Sequence, residues 1–265
     1  MLLAHLSDPH LPAGVLAAGP ARALHSALGR AAALDVDAVV ITGDLVEHGR
    51  PEEYAVLREV LDDAAGSSPV PVLLAAGNHD DGETLVAAFG GSSHLGGGTS
   101  THYAVDLPGA RLLVLDSSVR GQGAGRLGEQ QLAWLAGELA AHPDVPALLA
   151  LHHPPTAVGI PFLDGMGLED SSALAVVVTE HPQVVRLLAG HVHRSTTAAF
   201  AGTVATTAPS TWRQSALDLG SPGRMGYLDE PAGLLVHQRD ERTGGLCVTH
   251  AVPVAAAAPV FPVPR

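Results

Sequence analysis

The chain has 265 residues, 46% of them hydrophobic and 3% aromatic, with a formal net charge of −13. That length makes one large domain, or one domain with an appended piece, and Ala, Val and Leu must fill its core. All 14 basic residues are Arg, and so acidic a surface excludes a protein that tracks along a nucleic-acid polymer through basic contacts.

Leu2–Ser7 reads as a strand, and Pro20–Leu34, with apolar residues at helical spacing, as a helix. Asp37–Thr42 is a strand, Pro51–Ala64 a helix with Pro in its first turn, and Val70–Ala75 a strand. Gly82–Phe89 makes a short helix and the Gly/Ser-rich Gly90–Ser100 a loop. Thr101–Asp106 and Arg111–Asp116 suit a hairpin around Pro108-Gly109. Leu127–Ala141 is a helix with Trp134 and Leu135 on its buried face, followed by a strand at Pro146–Leu151. Ser171–Glu180 is a helix and Val184–Ala189 a strand. Beyond His193 come strands without helices: Thr196–Ala201, Thr203–Thr207, Gly233–Gln238 and Gly245–Val252.

β-α repeats that give way to a β-rich end predict an α/β fold, a four-layer α/β/β/α sandwich of two packed mixed β-sheets with helices outside. The expected division is a catalytic core at 1–195, a β-rich completion of the sandwich at 196–254 and a flexible tail at 255–265. Ser210–Pro231 is irregular and polar, with Trp212, Met225 and Tyr227 embedded, which suits a cap or an oligomer contact.

The single cysteine, Cys247, rules out an internal disulfide and reads as a small buried hydrophobe. The apolar start is cut by His5 and Asp8 without a cationic region, so neither a signal peptide nor a membrane span is expected there. No other segment reaches the roughly 18 apolar residues of a span. A cytoplasmic protein is the resulting expectation.

Five polar pieces each follow a short apolar run. They are Asp8-Pro9-His10, Gly43-Asp44, Gly77-Asn78-His79-Asp80, His152-His153 and Gly190-His191-Val192-His193. Open α/β sheets bind ligands outside the carboxyl ends of their strands, so these pieces can meet in one pocket. Oxygen and imidazole donors without thiolate suit two borderline divalent metals rather than a structural zinc knot. On an extended backbone, residues i and i+2 point the same way, so Asp8 with His10, and His191 with His193, can each face the pocket together. The two oxygens of Asp44 can bridge ions about 3.5–4 Å apart. The grouping that follows is Asp8, His10 and His193 on one metal, Asn78, His152 and His191 on the other, and Asp44 between them.

Two metals make a bridging hydroxide available near neutral pH and clamp phosphoryl oxygens. Two divalent ions, two carboxylates and one hydroxide leave a charge of about +1. A diester monoanion neutralises that better than a monoester dianion. His79 need not bind metal; it could protonate the leaving alkoxide or hold a phosphoryl oxygen, with Asp80 orienting it. Asp44, Asn78 and His79 are therefore the residues expected at the reacting centre. His5, His25, His48, His94, His102, His142, His181, His237 and His250 read as surface or supporting residues. His153 reads as adjoining the site but pointing away.

Taken together, these blocks resemble the calcineurin-like metallophosphoesterase superfamily, with its D-x-H, G-D, G-N-H-[DE], H and G-H-x-H motifs, from about Leu3 to His193. HLSDPH, GRPEEY (Gly49–Tyr54), GNHDD, LDSS (Leu115–Ser118), LHHPP (Leu151–Pro155) and AGHVH look like bacterial class III cyclic-nucleotide phosphodiesterases. They look equally like the glycerophosphodiesterase branch of the same group. The resemblance implies two divalent metals, of iron, manganese, zinc or cobalt, and hydrolysis of small phosphodiesters such as 3′,5′-cyclic nucleotides or glycerophosphodiesters. It also implies a cap and oligomer contacts after His193, hence a homo-oligomer, and no membrane partner. A phosphomonoesterase, or a nucleotide or lipid pyrophosphatase, would use the same scaffold. A non-catalytic scaffold protein fits less well, because it has no need of an acid at His79.

Overall fold

Strands covered on both faces read as near-continuous apolar runs, and the first three strands are of that kind. β1 (Leu2–Leu6), β2 (Ala38–Thr42) and β3 (Val72–Ala75) pair in parallel, Leu3 opposite Ala38 and Val39 opposite Val72. A 3-10 turn at Gly14–Ala17, α1 (Ala18–Ala32) and α2 (Pro51–Ser67) connect them. Then come α3 (Gly82–Phe89), β4 (Tyr103–Leu107), β5 (Ala110–Val114), α4 (Gly128–Ala141), β6 (Ala147–Ala150), α5 (Pro161–Asp164), α6 (Ser171–Glu180) and β7 (Val184–Ala189). The remaining strands are β8 (Thr196–Phe200), β9 (Thr203–Thr207), β10 (Gln214–Ser215), β11 (Tyr227–Leu228), β12 (Gly233–Gln238) and β13 (Val248–Pro253). The structure, a computed structural model, describes residues 1–67, 70–220, 223 and 225–255. From residue 256 on, the tail expected at 255–265 lies outside the described residues.

Two mixed sheets result. One runs β13-β12-β1-β2-β3, with β12 antiparallel to β1; the other runs β4-β5-β6-β7-β9-β8, with β5, β6, β7 and β9 parallel. Strand alternation shows how they stack. Leu112, Val114, Leu148 and Ala150 join one core with Leu3, Val40 and Leu74 of the first sheet and with Leu24 of α1 and Leu57 of α2. Their immediate neighbours Leu113, Leu115, Leu149 and Leu151 face the other way, onto Leu135 of α4 and Leu174 of α6. Successive strand side chains point to opposite faces, so the order is helices, sheet, sheet, helices. Among the described residues no helix is long and apolar enough to cross a membrane.

Helix starts follow local chemistry. Asp81 caps α3 by accepting the N–H of Thr84 at 2.9 Å. Asp170 accepts the N–H groups of Leu127 and Gly128, which ties the start of α4 to the loop before α6.

Several expectations are corrected. The loop at Gly90–Ser100 contains a 3-10 turn, Ser93–Leu95, that buries Leu95. Ser210–Pro231 is not wholly irregular, since β10 and β11 pair within it. β13 begins later than Gly245 because Gly244 and Gly245 both have positive φ and turn the chain. Cys247 is half-buried rather than buried. Of the histidines expected at the surface or in support, His5 and His237 are of the second kind, fully buried. They form a row, His5 Nε2 to Thr42 Oγ1 at 2.9 Å, His5 Nδ1 to His237 Nε2 at 3.2 Å and His237 Nδ1 to Thr249 Oγ1 at 2.9 Å.

Candidate metal centre

The five polar pieces leave the ends of β1, β2, β3, β6 and β7 and converge. They do so by turning, not by extension. Asp8, His10, Asp44, His191 and His193 all have left-handed φ, between 45° and 68°. This corrects the extended i, i+2 reading. Asp and His tolerate that region better than most residues, yet each such position costs of order 1–3 kcal/mol and persists only when its surroundings hold it. Here Asp8 N–H donates to Gly43 O at 3.2 Å, His10 N–H to Asp44 O at 3.0 Å and His191 N–H to Asp8 Oδ1 at 3.1 Å. The loops touch backbone to backbone. A Cβ on Gly77 would overlap the N and Oδ1 of Asp44, and one on Gly190 would overlap Ser7 Oγ.

Two groups of donors meet at Asp44. In the first, ligand atoms of Asp8, His10, Asp44 and His193 lie within 4.8 Å of one another. His10 Nε2 is 3.0 Å from His193 Nε2 and 3.4 Å from Asp44 Oδ2, and His193 Nε2 is 3.5 Å from Asp8 Oδ1. In the second, Asn78 Oδ1 is 3.1 Å from His152 Nε2 and 3.0 Å from His191 Nδ1, and His152 Nε2 is 3.3 Å from Asp44 Oδ1. All seven residues expected to bind metal thus stand together around Asp44, with His153 beside His152 and His191, and Glu47 and His79 beside His10.

The outer nitrogens are committed. His10 Nδ1 bonds Glu47 Oε2 at 3.0 Å, His152 Nδ1 bonds Thr42 O at 2.7 Å, and His193 Nδ1 bonds Arg213 O at 2.8 Å. An Nδ1–H given to an oxygen turns the Nε2 lone pair inward, as metal-ligating histidines require. Asp8 Oδ2 and His191 Nε2 are buried without a hydrogen-bond partner, and a buried bare carboxylate oxygen calls for a cation. With oxygen and imidazole donors only, the residues fit divalent metal ions.

The electrostatics say the same. Burial opposes charge on His152, but the Asp44 carboxylate pushes its pKa up to about 9. Burial would raise Asp44, yet His152 and His10 hold its carboxyl well below the usual range. Burial, with the charge of His152, keeps His191 well below the ordinary imidazole value.

His79 donates its backbone N–H to Asp44 Oδ1 at 2.9 Å, and its Nδ1 bonds the Glu47 carbonyl at 2.8 Å. Asp80 does not orient it. That carboxylate accepts the N–H groups of Gly77 at 2.8 Å and Leu45 at 3.1 Å and the Tyr54 hydroxyl at 3.0 Å. Burial, with the charge of Asp44, raises Asp80 to about 7. The physical reason is reach: in the tight turn after β3, Asp80 folds back under the loop rather than beside its neighbour. His153 lies against His191, ring centroids 4.7 Å apart, but its nitrogens are spent on Ser117 Oγ at 2.8 Å and Gly123 O at 3.1 Å. Sequence reasoning missed Glu47, which holds both His10 and, through its carbonyl, His79. An acid three residues past Asp44 in a polar turn was the available signal.

The calcineurin-like phosphoesterase family model matches residues 1–195. The chain belongs to that family. It is 37% identical over 253 residues to a probable cyclic nucleotide phosphodiesterase of Rhodococcus erythropolis, covering 90% of this chain and 80% of the relative. It is 34% identical over 222 residues to the glycerophosphodiester phosphodiesterase GpdQ of Enterobacter lignolyticus, covering 81% and 78%. A crystal structure of a dimetal phosphatase from Danio rerio superposes with a TM-score of 0.63 at 16% identity, covering 96% of this chain and 99% of the other.

Proposed function

We propose that the chain is a phosphodiester hydrolase that works with two divalent ions. The observation that carries this reading is Asp44, whose two oxygens face the two donor groups at 3.4 and 3.3 Å. Asp8, His10 and His193 would hold one ion, and Asn78, His152 and His191 the other. Two ions held there would supply a nucleophile at neutral pH and offset charge on the phosphoryl group.

The rest is the work of this chain's residues. Glu47, Thr42 O and Arg213 O set the tautomer and orientation of three imidazoles. With Nδ1–H given to the Glu47 carbonyl, His79 in its imidazolium form would pass the Nε2 proton to a leaving alkoxide and end as the neutral Nδ1–H ring. Two dications against two carboxylates and one hydroxide leave about +1, which favours a monoanionic diester. Small phosphodiesters, cyclic nucleotides or glycerol-type esters among them, are the substrates this supports, in agreement with the cyclic nucleotide and glycerophosphodiester phosphodiesterases to which the chain is similar.

We read the division at residue 195 as functional, since all seven ligands precede it. Exposed Leu217, Leu219 and Leu228 support self-association of the following segment. One half-buried cysteine suits the cytoplasm. The test is reconstitution with Mn, Zn, Co or Fe followed by a substrate panel. A higher kcat/KM for bis-p-nitrophenyl phosphate than for p-nitrophenyl phosphate is expected; the reverse order favours a phosphomonoesterase.

A further inference from the structure

Trp212 and Tyr227, two of the three large side chains embedded in Ser210–Pro231, line a cavity of about 490 Å³ that also takes in His10 and His193. Cavities of that size accommodate small organic ligands. A substituent on a phosphorus held beside His10 and His193 has this space in front of it. Its apolar wall is Leu16, Pro12 and Pro20.

The aromatic groups are already placed. The indole edge of Trp212 packs on Gly19, where a Cβ would overlap the ring. Its backbone N–H donates to Ser210 Oγ at 2.9 Å, and the Arg213 guanidinium lies 5.3 Å from the ring centroid. The Tyr227 ring lies 5.2 Å from that of His193, tilted by 42°, and is 47% exposed. Rigid aromatic groups lose little freedom when a flat ligand arrives.

Two polar groups of the wall are committed to other side chains. Glu47 is bonded to His10, and His48 Nδ1 to Glu53 Oε1 at 3.0 Å. A glycerol substituent has no ring to set against Trp212 and Tyr227 and forgoes that contact. A flat ring would exchange water for aromatic and aliphatic contact, and stacking does not depend on which ring it is.

We propose that this cavity is the leaving-group pocket, and that Trp212 and Tyr227 make it select phosphodiesters whose ester substituent carries a planar ring over glycerol-type esters. The inference rests on the phosphodiesterase reading above.

The test uses the full chain loaded with zinc and two diesters, cyclic AMP with a ring and glycerophosphoethanolamine without one. Wild type is expected to have the higher kcat/KM for cyclic AMP. Trp212→Ala and Tyr227→Leu should each lower the ratio of the two kcat/KM values by about tenfold to a hundredfold, mainly through KM, as loss of a stacking partner does. The second variant alters an exposed side chain and guards against misfolding in the first. Adenosine, which cannot react, should quench tryptophan fluorescence saturably, and the Trp212→Phe variant, left with Trp134, should not respond. A wild-type preference for glycerophosphoethanolamine, or ratios unmoved in both variants, would overturn the pocket. If neither diester is cleaved while p-nitrophenyl phosphate is, the diesterase reading fails. The adenosine titration then decides the pocket alone: saturable quenching upholds a ring site, and its absence removes it.

Discussion

The Asp44 carboxylate accepts the backbone N–H of His79 at 2.9 Å through the same Oδ1 that lies 3.3 Å from His152 Nε2. Its other oxygen faces His10 Nε2 at 3.4 Å. One side chain therefore ties the end of β2 to those of β1, β3 and β6. Asp44→Asn keeps the shape and the bond to His79 but removes the charge. Bound metal is expected to fall from about two ions per chain to one or fewer, with the circular dichroism spectrum intact. Elemental analysis checks this, and two retained ions with normal turnover would remove Asp44 from its place between the groups.

The His79 ring lies 4.6 Å from that of His10, edge to face, and its Nδ1 goes to the Glu47 carbonyl. His79→Ala should keep its metals and lose kcat by ~10²–10⁴, the usual worth of a general acid. The loss should shrink for p-nitrophenolate, which leaves without a proton, and persist for alkoxides. Stopped assays on both kinds of diester measure it. Equal losses would assign His79 to holding the phosphoryl group.

Gly77→Ala places a methyl group where the N and Oδ1 of Asp44 now are. Neither the loop nor the carboxylate can yield without breaking the bond to His79. We expect activity to fall more than about a hundredfold, because small misplacements of catalytic groups cost that much, and metal content to fall with it. Activity within a few-fold of wild type would show that the loops can part.

The buried row through His5 and His237 makes stability depend on pH. Burial lowers His5 from 6.5 to about 3, and burial with the charge of His5 puts His237 well below its ordinary value. Both are neutral when folded, so below pH 6.5 the unfolded chain binds more protons. Stability is therefore complete above that pH and is lost as pH falls toward 3, by up to about 1.4 kcal/mol per unit for each histidine. Urea midpoints of metal-free protein at several pH values should fall less steeply in His5→Gln than in wild type. Parallel curves would mean that His5 binds its proton equally well in the folded and unfolded chain, against the burial argument.

Much of this molecule is written locally. The alternation of Val, Leu and Ala with glycine and polar residues places β1, β2, β3, β6 and β7 within a residue or two. The polar pieces at their ends carry all seven donors, because strand period and ligand chemistry are properties of neighbouring residues. Other features depend on residues far apart in the chain. Which nitrogen of His10, His152 or His193 faces inward is set by Glu47, Thr42 and Arg213, up to 110 residues away. Asp80 turns from His79 to Tyr54 because the loop after β3 closes on α2. His5 and His237 are 232 positions apart, and only the pairing of β1 with β12 buries them together. The left-handed turns at Asp8, His10, Asp44, His191 and His193 are unfavourable to each residue alone. They exist because loops from five strands press on one another, a balance of contact against local strain that sequence-neighbour preferences do not contain.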